Sequence, residues 1–155
     1  MTDWIMSWQW LLDIAWLLFL LLLLQHFWRE RSALKKTQSW YLASGKITRL
    51  TWTQEGHYLW PRLEYTYHAF NQEFYGEQLF LETAHHHPGS KYARKVAYRA
   101  AMAYQKEEAI EVYYNPQNPQ EAALDISIPS RLTFIIRLLL ILIALHFLIV
   151  IYRLW

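Results

Sequence analysis

The sequence predicts an α+β membrane protein in which two transmembrane helices form an antiparallel hairpin and carry a small antiparallel β domain with one helix. Two apolar segments, residues 8–28 and 132–152, have the length of about 20 residues that a helix needs to cross a bilayer. Between them, residues 43–126 contain short segments in which apolar and polar residues alternate, as in half-buried strands. An Ala-rich segment in the same region has the 3.6-residue period of a helix.

The composition narrows the classes of function that the chain can have. The 155 residues include no cysteine, which excludes disulfides, thiolate catalysis and zinc–thiolate sites. A net charge of +2 lacks the strong basic footprint of a nucleic-acid-binding protein. Nine Trp residues are present and several lie near the ends of the apolar segments, where amphipathic rings prefer the membrane–water interface. The lipid bilayer is therefore an expected partner, and nucleic acid is not.

The first apolar segment, residues 8–28, reads WQWLLDIAWLLFLLLLLQHFW. A helix satisfies all its backbone groups internally, which the hydrocarbon layer requires. The segment does not match a secretory signal peptide. The residues before it include Asp3 and no Lys or Arg, and no small-x-small cleavage site follows Leu24. We expect this segment to remain attached as the first membrane anchor.

The positions of Lys and Arg near the anchors predict the orientation in the membrane. Basic residues next to membrane helices favour the cytoplasmic side. Only Arg153 follows the second anchor, whereas five basic residues lie on the side of the middle region. We therefore expect a two-pass protein with a cytoplasmic domain and both termini outside. The five residues are Arg29, Arg31, Lys35, Lys36 and Arg131.

Three segments in the middle region have the pattern of strands. Residues 45–53 change phase at Thr48 and Arg49, which predicts a bulge or a loose edge. Residues 61–70 alternate cleanly, and the short sequence NQE separates them from residues 74–81. That spacing is typical of a β-hairpin.

The Ala-rich segment, residues 91–106, predicts the helix of the domain, with Ser90 placed to cap its start. One face is apolar, and basic residues form a ridge elsewhere. The ridge has two interpretations: an ordinary solvated face, or a face that lies against the anionic cytoplasmic leaflet. The apolar face comprises Ala93, Val96, Ala97, Ala100 and Tyr104, and the ridge comprises Lys91, Arg94, Lys95 and Arg99.

Two Asn-Pro pairs follow residues 109–114, in which apolar and polar residues alternate. Asn115 and Pro116 end that strand, because proline lacks the N–H that a β-ladder needs and asparagine readily bonds to neighbouring backbone. Asn118 and Pro119 are predicted to turn the chain again before a last short strand. We assign all four residues a structural role.

The sequence YxYHAFNQEFYG and the later sequence AYQKEEAIEVYYNPQNPQEAAL together resemble the bacterial domain-of-unknown-function 3592 family. The similarity covers roughly residues 43–126 and is most specific over Val112 to Leu124. It departs from the family pattern at residues 106–108, where KEE stands in place of a segment that usually contains glycine. The resemblance implies a small, mostly β domain on a membrane, and it implies no activity or catalytic residue. We expect that membrane to be the bacterial inner membrane.

His85, His86 and His87 form the one metal-like cluster in the sequence. Three consecutive histidines point in different directions, so at most two could bind one ion. His57 and His68 could add ligands, but nothing in their spacing requires it. We therefore interpret the cluster as a polar loop and expect neither a metal nor a cofactor.

No motif in the chain predicts an enzyme. Neither a G-x-S-x-G sequence nor a P-loop is present, and the four glycines are scattered. The acidic residues between the anchors could supply a carboxylate pair, but on alternating strands they are the expected solvent-facing residues. These are Glu64, Glu73, Glu77 and Glu82.

Five polar residues lie within or beside the apolar segments, where ionisable groups are costly and usually face a partner. Matching the ends of an antiparallel pair predicts Asp13 opposite position 147, beside His146. The same register predicts Arg137 near position 23, within reach of Gln25 and His26. Structural pairing is favoured over a proton relay, because groups at one level do not form a path across about 30 Å.

The function predicted from these features is that of a membrane-anchored, non-enzymatic interaction or scaffold protein, an accessory component of a larger membrane assembly. Its partner would be another protein or a second copy of the chain. Two alternatives remain: an envelope sensor with a ligand-binding domain, and an immunity or regulatory protein that acts against a membrane toxin.

Overall fold

The computed structural model describes the backbone of residues 2–155 and the side chains of residues 8–155. The chain divides into two compact units, one made of the described part of residues 1–32 with Pro129–Trp155 and the other of Ala33–Ile128. The elements in chain order are α1 (Thr2–Thr37), β1 (Tyr41–Glu55), β2 (Tyr58–Ala69), β3 (Gln72–Gly76), a 3₁₀ turn (Glu82–Ala84), α2 (Lys91–Gln105), β4 (Ile110–Asn115), β5 (Asn118–Ala123) and α3 (Ser130–Leu154).

The two apolar helices, α1 and α3, are longer than the apolar segments that predict them. Helix α1 continues past residue 28 because the following residues are mostly good helix formers, and it ends where Thr37 Oγ1 donates to the carbonyl of Leu34 at 2.6 Å. Within residues 8–37 and 130–154, both helices are long and apolar enough to cross a membrane, with mean hydropathies of 1.9 and 3.0.

The second unit contains a five-stranded antiparallel sheet with the order β3-β2-β1-β4-β5. Strand β1 pairs with β4 over residues 41–45 and with β2 over residues 45–55 so that, within the described chain, residues 46–55 pair with β2 alone. Most of the predicted segment 45–53 therefore lies at an edge, which is one of the two predicted alternatives. The other alternative is confirmed, because the register shifts between Ile47 and Arg49 and leaves Thr48 as the extra residue of a bulge.

The β2–β3 hairpin is tighter than the sequence predicts. Ala69 pairs with Gln72, which leaves a loop of two residues, Phe70 and Asn71. Both have positive φ, 49° and 60°, as a type I′ turn requires. Strand β3 therefore starts at Gln72 and ends at Gly76, earlier than the predicted range 74–81.

The sheet curls until the segments that follow its two edge strands meet. The N–H of Asp125 donates to the carbonyl of Leu79 at 3.0 Å, and the N–H of Leu124 donates to that of Gln78 at 3.3 Å. Phe80 and Asp125 form a parallel bridge. Residues that are distant in sequence thus become neighbours beside the closed edge.

The core lies on the inner face of the curled sheet, against α2. Tyr65 and Tyr67 are fully buried, and burial raises the pKa of both hydroxyls. Each hydroxyl donates to a backbone carbonyl, Tyr65 to Gln78 at 2.9 Å and Tyr67 to Pro119. Ser90 caps α2 by accepting from the N–H of Ala93 at 3.0 Å. Four residues of the predicted apolar face are buried, whereas Tyr104 is 39% exposed; the buried ones are Ala93, Val96, Ala97 and Ala100.

Helix α2 ends in a Schellman motif that places an unfavourable residue at the left-handed position. The N–H of Glu108 donates to Ala103 at 2.9 Å and that of Glu107 to Tyr104 at 3.2 Å. Glu107 has φ of 55°, a conformation that favours glycine. This is the segment where the sequence departs from the glycine of the family pattern.

Glu107→Gly is therefore expected to raise the free energy of unfolding by about 1 kcal/mol. Relief of the left-handed strain contributes about 1–2 kcal/mol, and the greater conformational entropy that glycine gives to the unfolded chain offsets part of it. Urea unfolding of the full chain in detergent checks this. Glu108→Gly is the matched control and should destabilise or leave the protein unchanged. A destabilised Glu107→Gly variant would contradict the assignment.

Candidate functional site

A polar cluster forms where the two edges of the curled sheet meet. The Asp125 carboxylate accepts from the Tyr92 hydroxyl at 2.5 Å, and from the backbone N–H and Oγ of Ser127 at 2.9 and 2.6 Å. The His86 ring packs against Phe80, with centroids 4.3 Å apart, and against Tyr92 at 5.6 Å. Three segments thus supply the cluster: the loop before α2, the first turn of α2 and the segment before α3.

The chemistry of this cluster is that of a structural clamp. In a Ser-His-Asp triad a histidine lies between the hydroxyl and the carboxylate, whereas here the Ser127 hydroxyl donates directly to Asp125. The Nε2 atom of His86 is buried and has no hydrogen-bond partner in the described part of the chain. Both carboxylate oxygens of Asp125 are occupied, so the cluster ties the segment before α3 to α2.

Burial lowers the pKa of His86, although the Asp125 charge and the backbone of Ser127 act in the opposite direction. The unfolded chain, with an ordinary histidine pKa of about 6.5, therefore binds a proton at higher pH than the folded chain. Stability should accordingly fall as the pH drops below about 6.5.

We expect His86→Gln to flatten this dependence in urea unfolding between about pH 7 and 5. His57→Gln, at an exposed histidine in the β1–β2 turn, is the control and should leave the slope unchanged. Equal slopes for the parent chain and His86→Gln would contradict the assignment.

The three consecutive histidines face different surroundings. His85 has a left-handed backbone with φ of 46°, and His86 packs into the cluster described above. His87 Nδ1 accepts from the N–H of Gly89 at 2.9 Å, and its ring meets Tyr58 edge-on. Among the described residues, no three His, Asp or Glu side chains are arranged to hold a metal ion.

Asn115 and Asn118 flank one tight turn of two residues between β4 and β5. Asn115 pairs with Asn118, and the side chain of Asn115 accepts from the N–H of Gln117 at 3.0 Å. Glu121 then accepts from both asparagine side chains, at 2.9 and 3.0 Å. Pro119 lies inside β5, so the prediction that the second Asn-Pro pair turns the chain again is wrong. Pro116 supplies one of the two loop residues.

The polar residues of the apolar helices do not pair as predicted. Asp13 Oδ2 accepts from Arg153 Nη1 at 2.7 Å, so its predicted partner, His146, is wrong. The His146 ring instead lies beside Phe147 on its own helix. The predicted register was offset because it aligned the ends of the apolar segments, whereas both helices extend further.

The second half of the predicted pairing also differs. His26 contacts Glu30 one turn along its own helix, with Nε2 to Oε1 at 3.3 Å. Gln25 is exposed, and so is Arg137. The Asp13–Arg153 pair places residue 137 at the level of residue 29, well away from position 23.

A two-stranded arm extends from the sheet. Strand β1 pairs with β4 only through residues 41–45, and β2 pairs with β3 only through residues 65–69. Residues 50–63 therefore form a hairpin whose strands, in the described part of the chain, pair only with each other. Trp52 and Leu59 are diagonal neighbours on one face of the arm and are 52% and 70% exposed.

The profile described as Domain of unknown function (DUF3592) matches residues 43–129, more than half of the chain. The chain belongs to this family. The match confirms the resemblance drawn from the sequence and extends it by three residues, to Pro129. No curated protein and no solved structure matches the chain.

The DUF3592 domain contains contacts that the sequence did not predict. Tyr92 and Asp125 have no distinctive spacing, and only the closure of the sheet brings them together. The contacts of Glu121 with the two asparagines were predictable, because Glu121 follows Asn115 by six residues and Asn118 by three, separations at which side chains of one hairpin meet. From the sequence, Arg153 predicted only the orientation of the chain in the membrane.

Proposed function

We propose that this chain is a membrane-anchored, non-enzymatic interaction module that holds its DUF3592 domain at a bacterial inner membrane for contact with a protein partner. The observation that carries the proposal is the exposure of the apolar helices. Only 6% of the most apolar window of α1 and 17% of that of α3 are buried inside the protein. A core helix of a soluble protein would be mostly buried, so a bilayer is the medium that fits these surfaces.

The Asp13–Arg153 pair supports a membrane hairpin. An isolated carboxylate in hydrocarbon is costly, and pairing it with a guanidinium offsets that cost. Asp13 follows Trp8 by five residues, and Arg153 follows Tyr152 by one. Aromatic residues of this kind favour the interface, so the pair lies close to the headgroups.

The partner-binding surface that we propose is the apolar face of the β1–β2 arm. Trp52 and Leu59 extend the core face of the sheet beyond the part that α2 covers. Exposed tryptophan is enriched at the energetic centres of protein interfaces. Pro61 lies at the free edge of β2 and lacks an N–H, which disfavours addition of a further strand. The arm is therefore suited to side-chain contact with a partner protein.

Photo-crosslinking in membranes tests this function. A photoreactive residue replaces Leu59, or replaces Arg62 on the opposite face of the same arm as the control. The proposal predicts one defined crosslinked species from position 59, lost when Trp52→Ser is added, and none from position 62. A product with the mass of two chains would identify a second copy as the partner. Identical patterns from both positions, or no product, would contradict the proposal.

The orientation that we propose places the domain in the cytoplasm, supported by the basic residues that follow α1. A single cysteine in place of Glu73, exposed in β3, makes this measurable because the chain has no other cysteine. An impermeant maleimide should label it only after the cells are permeabilised. Labelling of intact cells would reverse the orientation.

A cleft of about 410 Å³ favours the sensor function as the second candidate. It lies between α2 and β4, where apolar side chains such as Val96 and Ile110 meet the charged Arg99 and Glu111. A bound small molecule retained in native mass spectrometry of the purified chain, and lost in an Ile110→Trp variant that fills the cleft, would favour this function over the interaction module.

A further inference from the structure

We propose that the outer face of α2 binds the anionic headgroups of the membrane in which the chain is anchored. This inference rests on the proposed membrane anchoring and adds a second contact, between the folded domain and lipid. The face consists of Lys91, Arg94, Lys95 and Tyr98, at the i, i+3, i+4 and i+7 positions of one helical stripe. We call it the lipid face.

The lipid face lies opposite the buried side of α2. Ala93, Val96, Ala97 and Ala100 fix the helix against the sheet, so the rotation of α2 about its own axis is set by the core. All four side chains of the lipid face are exposed, and Tyr98, the last of them along the helix, is 67% exposed. The basic stripe is thus held rigidly on the outside of the domain.

The charge on this face is concentrated and not neutralised. Residues 33–128 contain ten Lys and Arg and ten Asp and Glu, so their formal net charge is zero. Helix α2 nevertheless contains four basic residues and no acidic one. No salt bridge engages Lys91, Arg94 or Lys95 among residues 8–155. Burial raises the pKa of Tyr92, and the charge of Arg99 opposes that rise. The fourth basic residue, Arg99, therefore acts partly on the Asp125 cluster.

The chemistry of the face favours lipid over an acidic protein. Each Lys or Arg near an anionic leaflet contributes roughly a fivefold factor in binding, and an exposed tyrosine among the cations suits the interfacial region. Anchoring also keeps the domain close to headgroups at high effective concentration, so weak contacts suffice. A surface of three cations that would be weak in solution becomes effective beside its own membrane.

The test uses the full chain reconstituted into liposomes. Gln105→Cys places a single thiol on the lipid-face stripe, two turns beyond Tyr98, for an environment-sensitive dye. With phosphatidylglycerol present, we expect a spin label located in the bilayer to quench the dye. This quenching should be lost in phosphatidylcholine alone, and also in about 0.5 M salt, because salt screens the attraction between the basic residues and the headgroups. Arg94→Gln/Lys95→Gln should reduce the ratio of bound to free domain roughly 30-fold.

The control Lys46→Gln/Arg62→Gln removes the same two charges from the opposite face of the sheet and should quench like the parent. Quenching that is equal in both lipid compositions, or equal in both charge variants, would overturn the proposal. So would a domain that is never quenched, which would leave an acidic protein as the partner of this face. Flotation of the chain with the liposomes reports anchoring separately, so a failure of the anchor is distinguishable from a failure of the lipid face.

Discussion

Replacing Gly45 with alanine is expected to lower the free energy of unfolding of the domain by about 3 kcal/mol, the upper part of the usual range for overpacking. A Cβ atom at this position would lie 2.6 Å from Cγ2 of Val112 and 2.7 Å from the carbonyl oxygen of Thr66. Val112 is fully buried, and the Thr66 carbonyl belongs to the neighbouring strand. Neither can retreat without disturbing the core or the β-ladder.

Urea unfolding of the full chain in detergent, followed by aromatic fluorescence, measures this effect. Ser44→Ala is the matched control, because Ser44 is the preceding residue of β1 and its side chain is exposed. The control should change the free energy of unfolding by no more than about 0.5 kcal/mol. If Gly45→Ala were as stable as the control, the close approach of β1, β2 and β4 at this point would be wrong.

Breaking the Asp13–Arg153 pair should have the second largest effect, about 2 kcal/mol on the association of the two helices. Arg153→Gln should cost more than Asp13→Asn. It leaves the carboxylate unpaired, and Asp13 is 22% exposed against 47% for Arg153. The arginine, at the end of α3, can instead extend toward the headgroups.

A double-mutant cycle separates pairing from unrelated damage. The double variant should be no less stable than Arg153→Gln alone, since it removes the orphaned charge. Arg137→Gln, at an exposed position of the same helix, is the control for loss of an arginine. Additive losses in the double variant would show that the two groups do not interact in the membrane.

The local elements of this fold were predictable because neighbouring residues determine them. The alternation of residues 61–70, the cap at Ser90 and the Asn115 strand end each depend on residues within a few positions. The bulge at Thr48 was predictable for the same reason, since the alternation changes phase there. The curl of the sheet was not, because it depends on hydrogen bonds between residues 78–79 and 124–125.

The pairing of the apolar helices shows a different limit. The sequence establishes which segments are apolar, but a uniform run of leucines leaves the helical register open by several residues. Polar groups then select the register through a contact such as Asp13 with Arg153. Matching segment ends predicted His146 in place of Arg153 because the helices extend beyond their apolar parts.

The candidate site was the least predictable part of the molecule. His86 was identified as one of three histidines, yet its partners Tyr92 and Asp125 come from segments that meet only when the sheet closes. The exposure of Trp52 was equally hidden. Only the extension of the arm beyond α2 leaves this side chain uncovered.

Cysteine accessibility along the two apolar helices tests whether α1 and α3 anchor the domain in a bilayer. Single cysteines at successive positions of residues 8–28 and 132–152, in a chain without native cysteine, are exposed to a water-soluble maleimide in isolated membranes. We expect protection throughout the middle of both segments and full labelling of Glu73→Cys in permeable membranes. Labelling of either segment with the 3.6-residue period of a water-exposed helix face would contradict this expectation.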